Sequence, residues 1–321
     1  MIMNKFKSIL IFFILISIFT IFKASNSEAY TEPSCTLTGG KVVAPSTNLF
    51  CVTETDVVKV TIKEVGLCKS LPSAPTTAAK FNNGLGADGQ ECTRVYYHLT
   101  GAGETVSISK DSTIALDDAY TLIPNIGTYT YGYVITSNIQ TVSFVKEFTT
   151  SISSTGTTLT SGTWCGTKNN VSRLDNNSKY INGTICGTES VVRAASGERE
   201  ELIYNICEIG VACQDSGGGL GTFSTTINFT NVNNTGRSLD VYITNIADGK
   251  LPTAVSTVER NLLWVQQLQN PITTTGDDII TIAFDKSSVA TIENDGGTPN
   301  LYFLSGGPVE LIISATSGEV F

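Results

Sequence analysis

The sequence predicts an all-β protein: two disulfide-stabilised β-sandwich domains, Ig-like or jelly-roll-like, after a cleaved signal peptide. Three observations predict it. Nearly every periodic segment repeats every second residue, turn residues interrupt those segments at short intervals, and all eight cysteines follow an apolar N-terminal run.

Met1–Ala29 has the layout of a secretory signal. Lys5 and Lys7 form a short basic start, Ile9–Phe22 is apolar apart from Ser17 and Thr20, and Ser27-Glu28-Ala29 offers small residues for cleavage. The apolar run is shorter than the roughly 20 residues of a spanning helix, which favours cleavage over anchoring. Glu32-Pro33-Ser34 lacks the apolar residue that a lipidation motif carries before its cysteine, so Cys35 is not expected to be lipidated. No second long apolar run follows. The expected location is secreted or cell-surface, with no membrane span in the processed chain.

Export governs how the cysteines are read. Cys35, Cys51, Cys68 and Cys92 form one group, Cys165, Cys186, Cys207 and Cys213 a second, with none between. An even number in an oxidising compartment points to disulfides. A structural zinc site would need closely spaced ligands, yet there is no C-x-x-C and no His near any Cys.

The chain carries 20 Lys+Arg against 29 Asp+Glu, a formal charge of −9, which becomes −11 once Lys5, Lys7, Lys23 and Glu28 leave with the signal. Acidic surface repels a phosphate backbone, so nucleic acid is not an expected partner. The expected partners are other proteins, or further copies of this chain, at the cell surface, with a glycan as the alternative.

The domain boundary falls in the small, uncharged stretch from Thr149 to Gly162. It divides the chain into a signal (1–29), an N-terminal sandwich (30–150), a Ser/Thr/Gly linker (151–162) and a C-terminal sandwich (163–321). A Thr-rich edge strand with a glycine turn is the competing reading of the linker.

Strands are expected where apolar residues alternate. Val58, Val60 and Ile62 share one face of Val58–Lys63, and Tyr129, Tyr131 and Tyr133 share one face of Tyr129–Ile135. Further runs lie at Thr93–Leu99, Val106–Ser109, Thr141–Phe148, Thr225–Thr230, Leu239–Thr244, Ile279–Phe284, Leu301–Leu304 and Val309–Ser314. Asn83-Gly84, Asp88-Gly89, Asp248-Gly249 and Gly306-Gly307-Pro308 supply turn chemistry between them. Residues 257–269 are ambiguous. Ser256 and Glu259 form a capping-box pattern and Asn270-Pro271 would end a helix, but Leu262, Trp264, Gln266 and Leu268 also fit a period of two, and strand is preferred. Glu198–Cys207, with its charged start, is expected as a strand entered by a helical turn. An outer-membrane barrel is rejected, because the runs are shorter than its strands of about ten residues.

Candidate chemistry is thin. His98, the only histidine, would have to serve any Ser–His–carboxylate triad, and no G-x-S-x-G elbow is present. Asp117-Asp118 and Asp277-Asp278 are the acidic pairs that a glycosidase or calcium reading would use. Neither sits in a recognisable calcium loop, so solvated charge is the plain reading, with room for a weak Ca2+ site and no other cofactor. Gly217–Gly221 lacks the flanking Lys of a phosphate loop. Tyr129, Tyr131, Tyr133, Trp164 and Trp264 are the candidate ligand-contact aromatics; core packing is the preferred reading for the tyrosines, and the tryptophans are left open.

The expected function is a non-catalytic structural or interaction protein of the cell exterior: an adhesin, a coat or a filament subunit. A secreted carbohydrate-binding module is the alternative, followed by a carboxylate-dependent hydrolase.

Overall fold

The computed structural model describes residues 30–31, 34–47, 49–81, 92–108, 113–114, 116, 121–122, 124–154, 160–169, 183–203, 224–228, 238–254, 258–276, 278–285, 289–294, 296, 301–306 and 310–316. They are mostly strand, with one short helix, and fall into a nine-stranded, an eight-stranded and a three-stranded sheet.

The chain alternates between these sheets. β1 (Tyr30–Thr31) edges the nine-stranded sheet, while β2 (Leu37–Thr38), β3 (Lys41–Val42) and β4 (Phe50–Thr53) belong to the eight-stranded one. β5 (Val57–Cys68), β6 (Cys92–Tyr97), β7 (Glu104–Ile108) and β9 (Gly127–Ser143) return to the nine-stranded sheet, and β8 (Thr113–Ile114) joins the three-stranded one. β10 (Val145–Ser154), β11 (Ser161–Thr167) and β12 (Thr184–Gly187) lie in the eight-stranded sheet and are followed by helix α1 (Glu189–Ala195). β13 (Arg199–Leu202), β14 (Ser224–Asn228), β15 (Ser238–Thr244) and β16 (Asn261–Thr274) belong again to the nine-stranded sheet, and β17 (Ile279–Asp285) to the three-stranded one. β18 (Ala290–Asn294) and β19 (Leu301–Gly306) complete the eight-stranded sheet, and β20 (Glu310–Thr316) the three-stranded sheet.

Strands from both sides of residues 150–160 therefore share each large sheet. The stretch expected to be linker is strand at both ends, Ser151–Ser154 closing β10 and Ser161–Gly162 opening β11.

Three buried clusters follow from this threading. The largest takes Val58, Val60, Ile62, Val134 and Leu262 from the nine-stranded sheet and Ile282, Phe284 and Ile313 from the three-stranded sheet. A second covers the other face of the nine-stranded sheet with Tyr133, Leu263 and Val265. A third core, smaller than the first, belongs to the eight-stranded sheet and contains Val42, Phe144, Phe148, Ile152, Ile292 and Leu304.

Irregularities in the long strands place the buried polar groups. On β5, Ile62 pairs with Thr136 and Glu64 with Ile135, so Lys63 is an extra residue. This bulge changes the phase of the alternation: Val65 and Leu67 continue the face of Val58, Val60 and Ile62, and Glu64 turns to the opposite side. On β9 the neighbour changes from β16, ending at Ser137, to β13, beginning at Ile139. The fully buried Asn138 holds that junction. Its amide N–H donates to Arg260 O, its Nδ2 donates to Ile203 O, and its Oδ1 accepts from Arg260 N.

The ambiguous segment at 257–269 is strand from Asn261 onward, and Ser256 of the capping-box pattern lies outside the described residues. Pro271 sits where β16 and β9 slip between Gln267 and Ile272, so its missing N–H removes no ladder bond. Within Glu198–Cys207 the described strand is Arg199–Leu202. The helical element lies just upstream of that segment, as α1, rather than at its charged start.

Among the described residues, three disulfides join neighbouring segments: Cys35–Cys51, Cys68–Cys92 and Cys165–Cys186. Cys68 and Cys92 face each other across β5 and β6, and Cys165 and Cys186 across β11 and β12. Cys207 and Cys213, like the signal segment 1–29, lie outside the described residues.

Candidate functional site

The five candidate aromatics separate by burial. Tyr129 and Tyr133 are fully buried and Trp264 nearly so. The Tyr129 hydroxyl donates to Asn125 O at 2.6 Å, and burial pushes its pKa up. The Trp264 indole N–H donates to Thr136 Oγ1 at 3.1 Å. These three side chains are core with satisfied polar ends, as their alternation allows. The three tyrosines do not share the one face expected of them: the β16–β9 register slips between Tyr129 and Tyr131, so Tyr129 belongs to the largest cluster, whereas Tyr133, with the half-buried Tyr131 packed beside it, belongs to the cluster on the opposite face.

Trp164 lies differently. It is half-buried on β11, between Glu147 of β10 and Gly187 of β12. A Cβ at Gly187 would touch Val191 of α1, and that helix lays the Arg193 guanidinium 5.0 Å from the indole ring. Arg193 pairs with Glu189 one helical turn earlier at 2.8 Å, and Glu147 pairs with Lys41 at 2.7 Å. Val191 is exposed nearby on the same helix. An aromatic plane edged by both signs of charge forms an amphipathic contact surface suited to a polar partner or a sugar ring.

The other face of the nine-stranded sheet carries a buried acid. Glu64, turned inward by the bulge, accepts a 2.6 Å hydrogen bond from the Tyr133 hydroxyl and lies 3.1 Å from Arg94 Nε. Arg94 in turn stacks 4.6 Å from the Tyr97 ring. Gly66 makes this possible, because a Cβ there would stand 2.3 Å from the Tyr133 ring. Next to it, half-buried Lys63 donates to Asn261 Oδ1 at 2.8 Å, and burial holds its ammonium below the usual lysine range, against the pull of Glu259. The Glu64 carboxylate is enclosed by its own partners. The sequence carries a signal for it that alternation alone missed: the apolar phase switches from even to odd positions between Ile62 and Val65.

A groove of about 360 Å³ runs between the slipped part of β16 and β20, with Leu268, Ile272 and Ile313 supplying apolar walls and Gln269, Asn270 and Ser314 polar ones. β20 itself is paired with β17 along its whole length, from Thr316 opposite Ile279 to Glu310 opposite Asp285. Glu310–Ser314 thus serves its own chain as part of a closing strand, and Val309 lies outside the described residues.

His98 lies just past β6, half-buried, with Nδ1 3.1 Å from Thr100 Oγ1. Asp278 accepts from Thr275 N–H, Thr275 Oγ1 and Gly276 N–H, a turn cap whose backbone donors hold its carboxyl below the ordinary range. Asp117, Asp118, Asp277 and Gly217–Gly221 lie outside the described residues. Among the described residues, no three His, Cys, Asp or Glu side chains converge as a metal site, and no helix is long and apolar enough to cross a membrane. Compared with protein-family models, curated proteins and solved structures, the chain matches none of them.

Proposed function

We propose that this chain is an exported structural or interaction protein of the cell surface or extracellular space, acting by contact with other proteins or further copies of itself rather than by catalysis. The observation that carries the reading is the pairing of every described cysteine, with Cys51, Cys165 and Cys186 in the smaller core and Cys68 and Cys92 against the larger sheet. Cystines persist in oxidising compartments and are reduced in the cytosol. The nine- and three-stranded sheets are read as the two layers of one β-sandwich, with the eight-stranded sheet as a second module. Both modules are discontinuous in sequence.

Thiol alkylation of intact cells, with electron microscopy of their surface, tests this. The expected result is surface-located protein that takes up label only after reduction; reduced thiols in a cytosolic fraction overturn it. The glycan reading rests on Trp164, the candidate tryptophan that is not buried in a core. A glycan array read with and without calcium, for the native chain and Trp164→Ala, tests that. Binding lost in the variant supports the reading, and uniform silence removes it.

A further inference from the structure

We propose that the buried Arg199–Glu201 pair is a latch that fixes the two β-regions in one relative orientation and makes them unfold together. Both residues lie on β13 with the spacing that puts them on one face of a strand. Their side chains are only 1% and 4% exposed. The β13 backbone belongs to the nine-stranded sheet, with Arg199 opposite Val142 and Glu201 opposite Gln140 of β9. The bonds the two side chains make beyond each other go to the other region. Arg199 Nη1 donates to Gly183 O, Arg199 Nη2 donates to Leu304 O, and Glu201 Oε2 accepts from Gly306 N–H at 2.8 Å. Within the pair, Arg199 Nε donates to Glu201 Oε1 at 3.0 Å.

The latch stands where the chain passes between regions. Gly306 ends β19 just before the chain turns to β20, and Arg199 opens β13 just after α1. A third passage, the break at Phe144 between β9 and β10, is tied in by Thr167. Its Oγ1 accepts from Phe144 N–H and donates to Gly197 O. At the same break, Asp56 accepts from Val145 N–H and donates its own N–H to Ser143 O.

A buried ion pair is a poor source of stability, since desolvation offsets most of its Coulomb attraction, and apolar replacement of both partners is often neutral. What this pair supplies is direction. Guanidinium and carboxylate reach across to acceptors and donors that an aliphatic side chain cannot hold in place.

The test compares the full-length oxidised chain with Arg199→Met/Glu201→Leu and with Glu201→Gln. In the native chain a single calorimetric transition is expected. The double variant is expected to keep its disulfides and near-ultraviolet circular dichroism, yet to split into two transitions and broaden its small-angle scattering profile. Two transitions in the native chain, or a double variant matching it in both readouts, overturn the latch. Glu201→Gln covers the case in which the double variant does not fold. Amide exchange at Leu304 and Gly306 is expected to rise by roughly tenfold or more while the β5 and β16 amides hold their protection. A uniform rise across all strands means that the pair only stabilises, and overturns the proposal.

Discussion

The two larger sheets solve the same packing problem by different means. The larger core rests on long strands, with β5, β9 and β16 running 12, 17 and 14 residues, and fills itself with aliphatic side chains. The smaller is built on strands of 2 to 10 residues and counts three half-cystines, Cys51, Cys165 and Cys186, among its buried members. A small core buries too little apolar surface to offset chain entropy comfortably, and cross-links that restrict the unfolded chain make up the difference. The comparison teaches that the cystines are framework in one region and reinforcement in the other.

Four measurements break or sharpen that contrast. Deleting residues 308–321 removes β20 and uncovers Ile282 and Phe284 of the larger core. Aggregation and loss of the native circular dichroism spectrum are expected; folded, soluble chains would mean that the larger core does not need its closing strand. Next in size is a pair of disulfide deletions. Cys165→Ser/Cys186→Ser and Cys68→Ser/Cys92→Ser open loops of similar separation, 21 and 24 residues. Loop entropy alone assigns each a similar cost of about 3 kcal/mol. The first is expected to cost more in chemical denaturation, because it also removes packing from the smaller core; equal costs would erase the distinction.

Tyr133→Phe, within the larger region, removes one partner of the buried Glu64 carboxylate, with an expected loss of about 1–3 kcal/mol. No change in denaturation midpoint would show that the acid does not depend on it. The smallest effect concerns Tyr242 on β15, whose phenol is pushed up to about 12 by burial and then by Asp240. Below the ordinary tyrosine pKa of about 10 both folded and unfolded chains keep the proton. Between there and about 12 the unfolded chain ionises first, so stability is lost as pH rises through that window. Tyr242→Phe flattens the decline, as read by denaturation at a series of alkaline pH values.

Much of the strand content was legible in the sequence because alternation is a local property. Val58, Val60 and Ile62 occupy one face as expected, and Leu262, Trp264, Gln266 and Leu268 declare a strand despite their helix propensity. Which sheet a strand joins is not local. Nothing in Thr141–Phe148 marks the passage at Phe144 with glycine or proline, so β9 and β10 read as one run although they serve different cores. Likewise Arg199 and Glu201 read as charge at the start of a strand, while their two-residue spacing already placed them on one face. A charge is expected to face solvent until the groups that enclose it are known, and here those groups are about a hundred residues away in β19. Trp164 and Trp264 illustrate the same limit: one residue type, opposite fates, decided by which strand lies next door.

The interleaved threading also sets a timetable for biogenesis. As the ribosome delivers the polypeptide, the smaller core waits for Leu304 and the larger for Ile313, so neither can close while its early strands are the only ones made. Contacts that distant are slow to form, and the first half must be kept from sticking to its neighbours in the meantime. Cutting the gene at the Thr-rich stretch would therefore yield two fragments that can mature only in each other's company.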